Sequence, residues 1–327
     1  MITGCDHFGI QVRDIERATA FYEDALGLKR VARWSMSQPY LQRLVGYPGA
    51  TLEIAMLAIP GSELFLEIAE YRNVKKTPID PANANPGTAH FCLFCDDLDH
   101  LHARLAAKGV AFVSDVQTPV AGPNKGGRIV YMIDPDGVRV ELVQSHHRGD
   151  GSPRRKNPTP APSGSTTTEF DHIGIQVRDV ERSAAFYVEK LGFEQVARWS
   201  MSKPYVQKIV GYYPDVTLEI AMLTIPGSDV FLEILEYVGV EKTPVDPSLA
   251  NPGTAHFSVF CDGLDDFHAR LVNEGVEFLS DVQRPDGGPN QGGRIVCLKD
   301  PDGIRVELAE TRNRGDGSPR RLAGAVA

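Results

Sequence analysis

Histidine and glutamate recur in this sequence at places where they alternate with apolar residues, and the pattern is written twice. His7 in DHFGIQV, Glu67 in FLEIAEY, His90 in AHFCLF and Glu141 in VRVELV each stand between apolar neighbours, and His172, Glu233, His256 and Glu307 hold the corresponding places further along. Successive side chains of an extended strand point to opposite faces. If Phe8, Ile10 and Val12 pack inward, then His7, Gly9 and Gln11 face the other way. The same parity sets His90, Cys92 and Phe94 against Phe91 and Leu93, Glu67 against Leu66 and Ile68, and Glu141, beside Arg139, against Val140 and Leu142. One face of one copy therefore collects His7, Glu67, His90 and Glu141, and the other copy collects His172, Glu233, His256 and Glu307. A single strand His or Glu is more often a solvated polar residue, so the specificity lies in the set. Two imidazoles with two carboxylates suit a divalent transition metal (Mn, Co, Ni, Fe or Zn), and the lack of thiolate disfavours a structural zinc site. Two sets imply two ions per chain. His102 and His268 fall on predicted helices, and His100, His146 and His147 have no counterpart in the other copy; all five are read as surface residues.

These positions are held by a tandem duplication. GIQVRD, VARWSMS, TLEIAML and RGDGSPRR each occur twice, and within a copy the apolar period switches from strand to helix to three strands, then repeats. The reading is an α+β chain of four βαβββ modules (about 1–80, 86–147, 169–246 and 252–313) with curved mixed sheets, paired into two domains at 1–148 and 169–313. The Pro-, Ser- and Thr-rich stretch 149–168 reads as an extended linker and 314–327 as a tail. Helices covering one face of each sheet leave the other to line a cleft.

Composition narrows the partners. The 327 residues carry a net charge of −9, which argues against a general nucleic-acid binder. No basic head precedes an apolar stretch at the start, and no run approaches ~18 apolar residues, so neither export nor membrane spanning is expected, and the chain reads as cytoplasmic. Five cysteines, only two of them at matching repeat positions, suit reduced thiols. Cys92 and Cys95 look like a CxxC, but Ser258 replaces the first in the second copy, and positions three apart in a strand face opposite ways; no redox or zinc role is expected there.

The words DHFGIQVRDIERATAFYEDALG, LEIAMLAIPGSELFLEIAEY, GTAHFCLFCDDLDHLHARLAAKGVAF and DPDGVRVEL together resemble the vicinal oxygen chelate superfamily, which includes glyoxalases, methylmalonyl-CoA epimerases, extradiol dioxygenases and bleomycin-resistance proteins. The resemblance spans both copies and implies paired βαβββ modules forming an open, U-shaped sheet around a metal, with ligands at the eight positions already named. A four-ligand set is similar to glyoxalases and epimerases, whereas extradiol dioxygenases have two His and one carboxylate. The epimerases also have a Glu in a segment like TLEIAML, which points to Glu53 and Glu219; by parity these are expected on the cleft face. The implied function is a metal-dependent lyase, isomerase or epimerase acting through an enolate of a small carbonyl or thioester substrate. Glu53 or Glu141 is the expected base, Glu219 or Glu307 its counterpart, and Arg139 and Arg305 are candidates to hold a substrate carboxylate. A ring-cleaving dioxygenase and a non-catalytic binding protein are the alternatives. Whether each site lies within one copy or between copies, and whether the chain is a monomer or homodimer, stays open.

Overall fold

The computed structural model describes residues 1–320 except 78, 81, 155–166 and 213. The first module runs β1 (Ile2–Gln11), α1 (Ile15–Leu26), β2 (Lys29–Met36), α2 (Pro39–Val45), β3 (Thr51–Ala58) and β4 (Phe65–Arg72). The second has β5 (Ala89–Cys95), α3 (Leu98–Ala107), β6 (Ala111–Phe112), β7 (Arg128–Ile133) and β8 (Arg139–Gln144). The third repeats the first as β9 (Thr167–Val177), α4 (Val180–Leu191), β10 (Glu194–Met201), α5 (Pro204–Val210), β11 (Thr217–Thr224) and β12 (Phe231–Val238). The fourth has β13 (Ala255–Cys261), α6 (Leu264–Asn273), β14 (Arg294–Lys299) and β15 (Arg305–Glu310), and the strand expected after α6 is reduced to a bridge between Phe278 and Leu298. The α+β class and the βαβββ order are thus as expected. The short helices α2 and α5 are additions, each opened by a proline at its first turn and closed by a left-handed glycine, Gly46 or Gly211.

The modules form two open sheets that do not follow the division into copies. One has the order β14-β15-β13-β1-β4-β3-β2 and joins the first module to the fourth; the other, β10-β11-β12-β9-β5-β8-β7-β6, joins the third to the second. The joints are antiparallel, β1 with β13 and β5 with β9, while β1 with β4 and β13 with β15 are parallel. The two modules of one copy therefore sit in different sheets. The helix-covered faces of both sheets share one core, in which Phe8 approaches Phe91 with ring centroids 5.5 Å apart. Each opposite face carries its own apolar lining, closed by α2 on one sheet and α5 on the other. Of the stretch expected to be linker, 155–166 lies outside the described residues, whereas Thr167 and Thr168 already belong to β9. Residues from Arg148 to Arg154 turn back as a tight hairpin, with Arg148 N donating to Ser152 O at 2.8 Å and Arg154 N to His146 O at 2.9 Å. Arg314 to Arg320, read as the start of the tail, does the same; 321–327 lies outside the described residues.

Candidate metal centres

Because the sheets cross the copies, so do the clusters. His90 and Glu141 from the second module meet His172 and Glu233 from the third, in the first centre. His90 Nε2 lies 3.5 Å from Glu141 Oε2 and 3.4 Å from Glu233 Oε2, and His172 Nε2 lies 3.4 Å from each. The second centre gathers His7 and Glu67 of the first module with His256 of the fourth: His7 Nε2 is 3.2 Å from His256 Nε2 and 3.7 Å from Glu67 Oε2, and His256 Nε2 is 3.5 Å from Glu67 Oε1. Glu307 lines this cleft but stands apart from the trio, its Oε1 accepting from Ser258 Oγ at 2.8 Å. The four candidates of one copy, His7, Glu67, His90 and Glu141, are divided between the two centres. Of the two arrangements left open by the sequence, clusters within a copy or between copies, the structure has the second.

Divalent ions bind nitrogen and oxygen at about 2.0–2.2 Å, which sets adjacent donors roughly 3 to 3.5 Å apart. The first centre has that spacing. It also leaves His172 Nε2 and Glu233 Oε2 buried without a hydrogen bond, a costly arrangement unless another group completes them. Burial opposes a proton on His90, yet the carboxylates of Glu141 and Glu233 beside it raise its pKa. Those carboxylates are held below the usual range against their own burial by the two histidines. In the second centre burial pulls His7 down, but Glu67 and Asp6 carry it up to about 9; burial and the His7 charge push His256 well below its ordinary value. Burial lifts Glu67 to about 7.

A further ring of residues orients the imidazoles. Asp6 and Asp171 hold the Nδ1 atoms of His7 and His172 at 2.9 and 3.0 Å, and each aspartate is itself gripped by a hairpin: Gly149 N donates to Asp171 at 2.9 Å, and Arg148 Nε at 3.2 Å, while Gly315 N reaches Asp6 at 2.9 Å. The other histidine of each centre leans on a glutamine from the adjoining strand. Gln176 is 2.9 Å from His90 Nδ1 and Gln11 is 3.0 Å from His256 Nδ1. The Thr88 hydroxyl has one proton, and it lies 2.8 Å from Asn85 O and 2.9 Å from the Gln176 carboxamide. Gln176 Nε2 faces His90 Nδ1 and its Oε1 accepts from Thr88; with the carboxamide turned over and Thr88 donating to Asn85, Gln176 gives its N–H to Thr88 and accepts from His90 Nδ1–H, which leaves Nε2 as the free ligand atom. Thr254 and Gln11 repeat this for His256. Gly9 and Gly174 lie across from His256 and His90, and a Cβ at either would stand within 2.0 Å of the imidazole ring. Only glycine lets those rings lie over the neighbouring strand.

Glu53 and Glu219 are not in the clefts. Glu53 accepts from Ser35 Oγ at 2.8 Å and pairs with Arg33 at 2.8 Å and Arg72 at 3.4 Å, while Leu52, Ile54 and Met56 line the cleft side. Burial would raise its pKa, but Ser35, Arg33 and Arg72 lower it. Glu219 is paired with Arg198 at 2.8 Å in the same way. The expectation that they face the cleft is corrected: Leu52, Ile54 and Met56 share an apolar cluster with α2, a helix not expected from the sequence, while Leu57 packs in the core between the sheets. Arg139 and Arg305 bond the carbonyls of Gly137 and Gly303 in their own turns. Tyr131, unremarked in the sequence, enters the first centre, its hydroxyl donating to Glu141 Oε2 at 2.9 Å and lying 3.3 Å from His90 Nε2. The two copies differ here, since the register that pairs Tyr131 with Glu141 pairs Cys297 with Glu307.

The family model of the Glyoxalase/Bleomycin resistance protein/Dioxygenase superfamily matches residues 4–142 and 169–308. The chain belongs to this superfamily. Among relatives, a lactoylglutathione lyase of Schizosaccharomyces pombe is 24% identical over 322 residues, covering 94% of this chain and 96% of the relative. A 2-epi-5-epi-valiolone epimerase of Actinomyces sp is 28% identical over 141 residues, 42% of this chain and 76% of that one. The crystal structure of glyoxalase I from Zea mays shares the fold, with a TM-score of 0.61 at 20% identity, covering 94% of this chain and 92% of that one. Among the described residues no helix is long and apolar enough to cross a membrane.

Proposed function

We propose that this superfamily member is a divalent-metal-dependent lyase or isomerase/epimerase that moves a proton beside the carbonyl of a small substrate. The observation that carries the reading is the buried four-residue centre of His90, Glu141, His172 and Glu233, in which His172 Nε2 and Glu233 Oε2 make no hydrogen bond among the described residues and meet only as ion-pair neighbours at 3.4 Å. The relatives support this chemistry. A divalent ion held there would polarise the substrate carbonyl and stabilise the charge that develops on its oxygen, worth several kcal/mol. The side chains do the rest. His90 and His172 present Nε2, kept in that tautomer by Gln176 and Asp171, and Glu141 is the carboxylate positioned to take the proton and return it. Burial pushes the Tyr131 phenol well above its ordinary pKa, so it stays protonated and donates to Glu141. In the second centre Glu307 stands in the corresponding place. Free thiols at all five cysteines suit the expected cytoplasmic setting.

The test is metal-loaded protein in deuterium oxide with a 2-hydroxy ketone. The expected result is metal-dependent exchange of the alpha proton without oxygen consumption, reduced by Glu141→Gln. Absence of exchange across 2-hydroxy ketones, two-carbonyl thiohemiacetals and acyl thioesters overturns the reading.

One observation favours a second reading. With Glu307 drawn to Ser258, the second centre is a trio of two histidines and one carboxylate, the arrangement suited to oxygen-activating non-haem iron. Anaerobic iron loading followed by oxygen uptake with a catechol, lost in His7→Ala, would establish ring cleavage there.

A further inference from the structure

The clefts above the two centres have a composition that the proton-transfer reading does not require. The first is walled by Trp199, Met201, Tyr205, Ile209, Leu218 and Ile220, with Asn124 and Tyr131 as polar points. The second repeats the wall with Trp34, Met36, Tyr40, Leu44, Ile54 and Met56, with Asn290 as its polar point. Among the described residues neither lining contains a lysine or an arginine; the ionisable groups in it are metal-ligand candidates and tyrosines. Lys125 and Arg198 line a separate depression against Trp199, shared with Asp150, and Arg198 is already paired with Glu181 at 3.0 Å and Glu219 at 2.8 Å.

The centre adds no positive charge of its own. In the first centre two carboxylates would neutralise a divalent ion, and in the second Glu67 would do so with Glu307 beside it in the cleft lining; neutral imidazoles leave the balance unchanged, so neither site offers a field to draw in an anion. Size points the same way. The cavities measure about 90 and 50 Å³, below the roughly 150 Å³ that accommodates benzene in an engineered protein cavity. Neither cleft therefore encloses a ring: a substrate of about one ring lies in the open mouth against the wall and extends only its oxygens down to the ligand candidates.

Building on the proton-transfer reading, we infer that the substrate of these centres is an uncharged, mainly apolar molecule of about one ring with two adjacent oxygens, such as a cyclic 2-hydroxy ketone. It is not an adduct of an anionic carrier such as glutathione or a nucleotide thioester. The two oxygens face the ligand cluster while the carbon skeleton lies against the tryptophan wall.

The chain has two tryptophans, one in each cleft, so intrinsic fluorescence reports each cleft separately in Trp34→Phe and Trp199→Phe. The experiment titrates full-length, nickel-loaded protein of measured metal content with 2-hydroxycyclohexanone, and in parallel with S-lactoylglutathione. The expected result is saturable, metal-dependent quenching by the hydroxy ketone and binding of the glutathione conjugate weaker by about 100-fold or more, since an unpaired charge in an apolar cleft costs at least ~3 kcal/mol. Equal or tighter binding of the conjugate overturns the inference and leaves the metal-enzyme reading standing. Failure of the protein to retain nickel sinks both. A metal-loaded protein that binds neither compound overturns the inference alone.

Discussion

At the scale of single residues the face a carboxylate occupies decides its role. Glu53 and Glu219 are paired with arginines away from the ligands, so Glu53→Gln with Glu219→Gln should leave metal content and proton exchange at wild-type levels and lower stability by about 1 kcal/mol through lost charge-assisted bonds. Metal analysis and thermal melts of the double variant check this; lost exchange with metal retained would return Glu53 to the mechanism. Titration at the second centre has a defined sign. Glu67 at about 7 and His7 at about 9 both hold protons at pH 6 that an incoming ion must displace. Affinity there should therefore rise by up to ~100-fold per pH unit below 7, ~10-fold per unit between 7 and 9, and level off above 9. Calorimetric titration of His172→Ala, which keeps only this centre, measures the slope. A flat profile from pH 6 to 9 would contradict the protonation scheme.

At the scale of elements, the hairpins from Arg148 and Arg314 grip the aspartates that orient His172 and His7. Arg148→Ala should weaken metal binding at the first centre by about 10- to 100-fold, the usual cost of losing an outer-shell partner, and spare the second; Arg314→Ala should do the reverse. Competition with a chelator in each single-centre background separates the two, and equal loss at both centres would mean the arginines act on general stability. This element was legible as a word and illegible as a structure: RGDGSPRR is repeated, but Gly, Ser and Pro read equally well as linker. The strands carrying the ligands were legible because β1, β4, β5 and β8 alternate. In TLEIAML the residues from Leu52 to Leu57 are apolar on both sides apart from Glu53, so parity has no purchase, and the face was decided by α2, a helix of seven residues too short to leave a periodic trace. Asp6 escaped for a third reason. The register shift between Cys5 and His7 is a bulge, which lets the Asp6 carboxylate reach the ring beside it instead of pointing away.

At the scale of the molecule, the question is why a duplicated chain should build each centre from both of its halves. Parity places eight candidate ligands, two per module, on equivalent faces of four modules, and nothing in it says which module lies beside which. The choice is made by the edges of β1 and β5, each needing an antiparallel neighbour, and in this structure they find β13 and β9 from the other copy. Since β13 corresponds to β5 and β9 to β1, an isolated first copy holds both kinds of edge. Two such copies can pair β1 with β5 twice about a two-fold axis, closing every edge that the full chain closes. Residues 1–154 alone should therefore form a homodimer with two centres, each built from His7 and Glu67 of one subunit and His90 and Glu141 of the other. Metal binding should vanish on dilution below the dimer dissociation constant, because no subunit holds a complete set; in the full chain the covalent tether replaces that concentration dependence with a fixed, high effective concentration. Sedimentation with parallel metal analysis tests this. A monomeric half that keeps one ion at all concentrations would mean that a copy can close its own cleft, and that the exchange of modules between copies is not what completes the site.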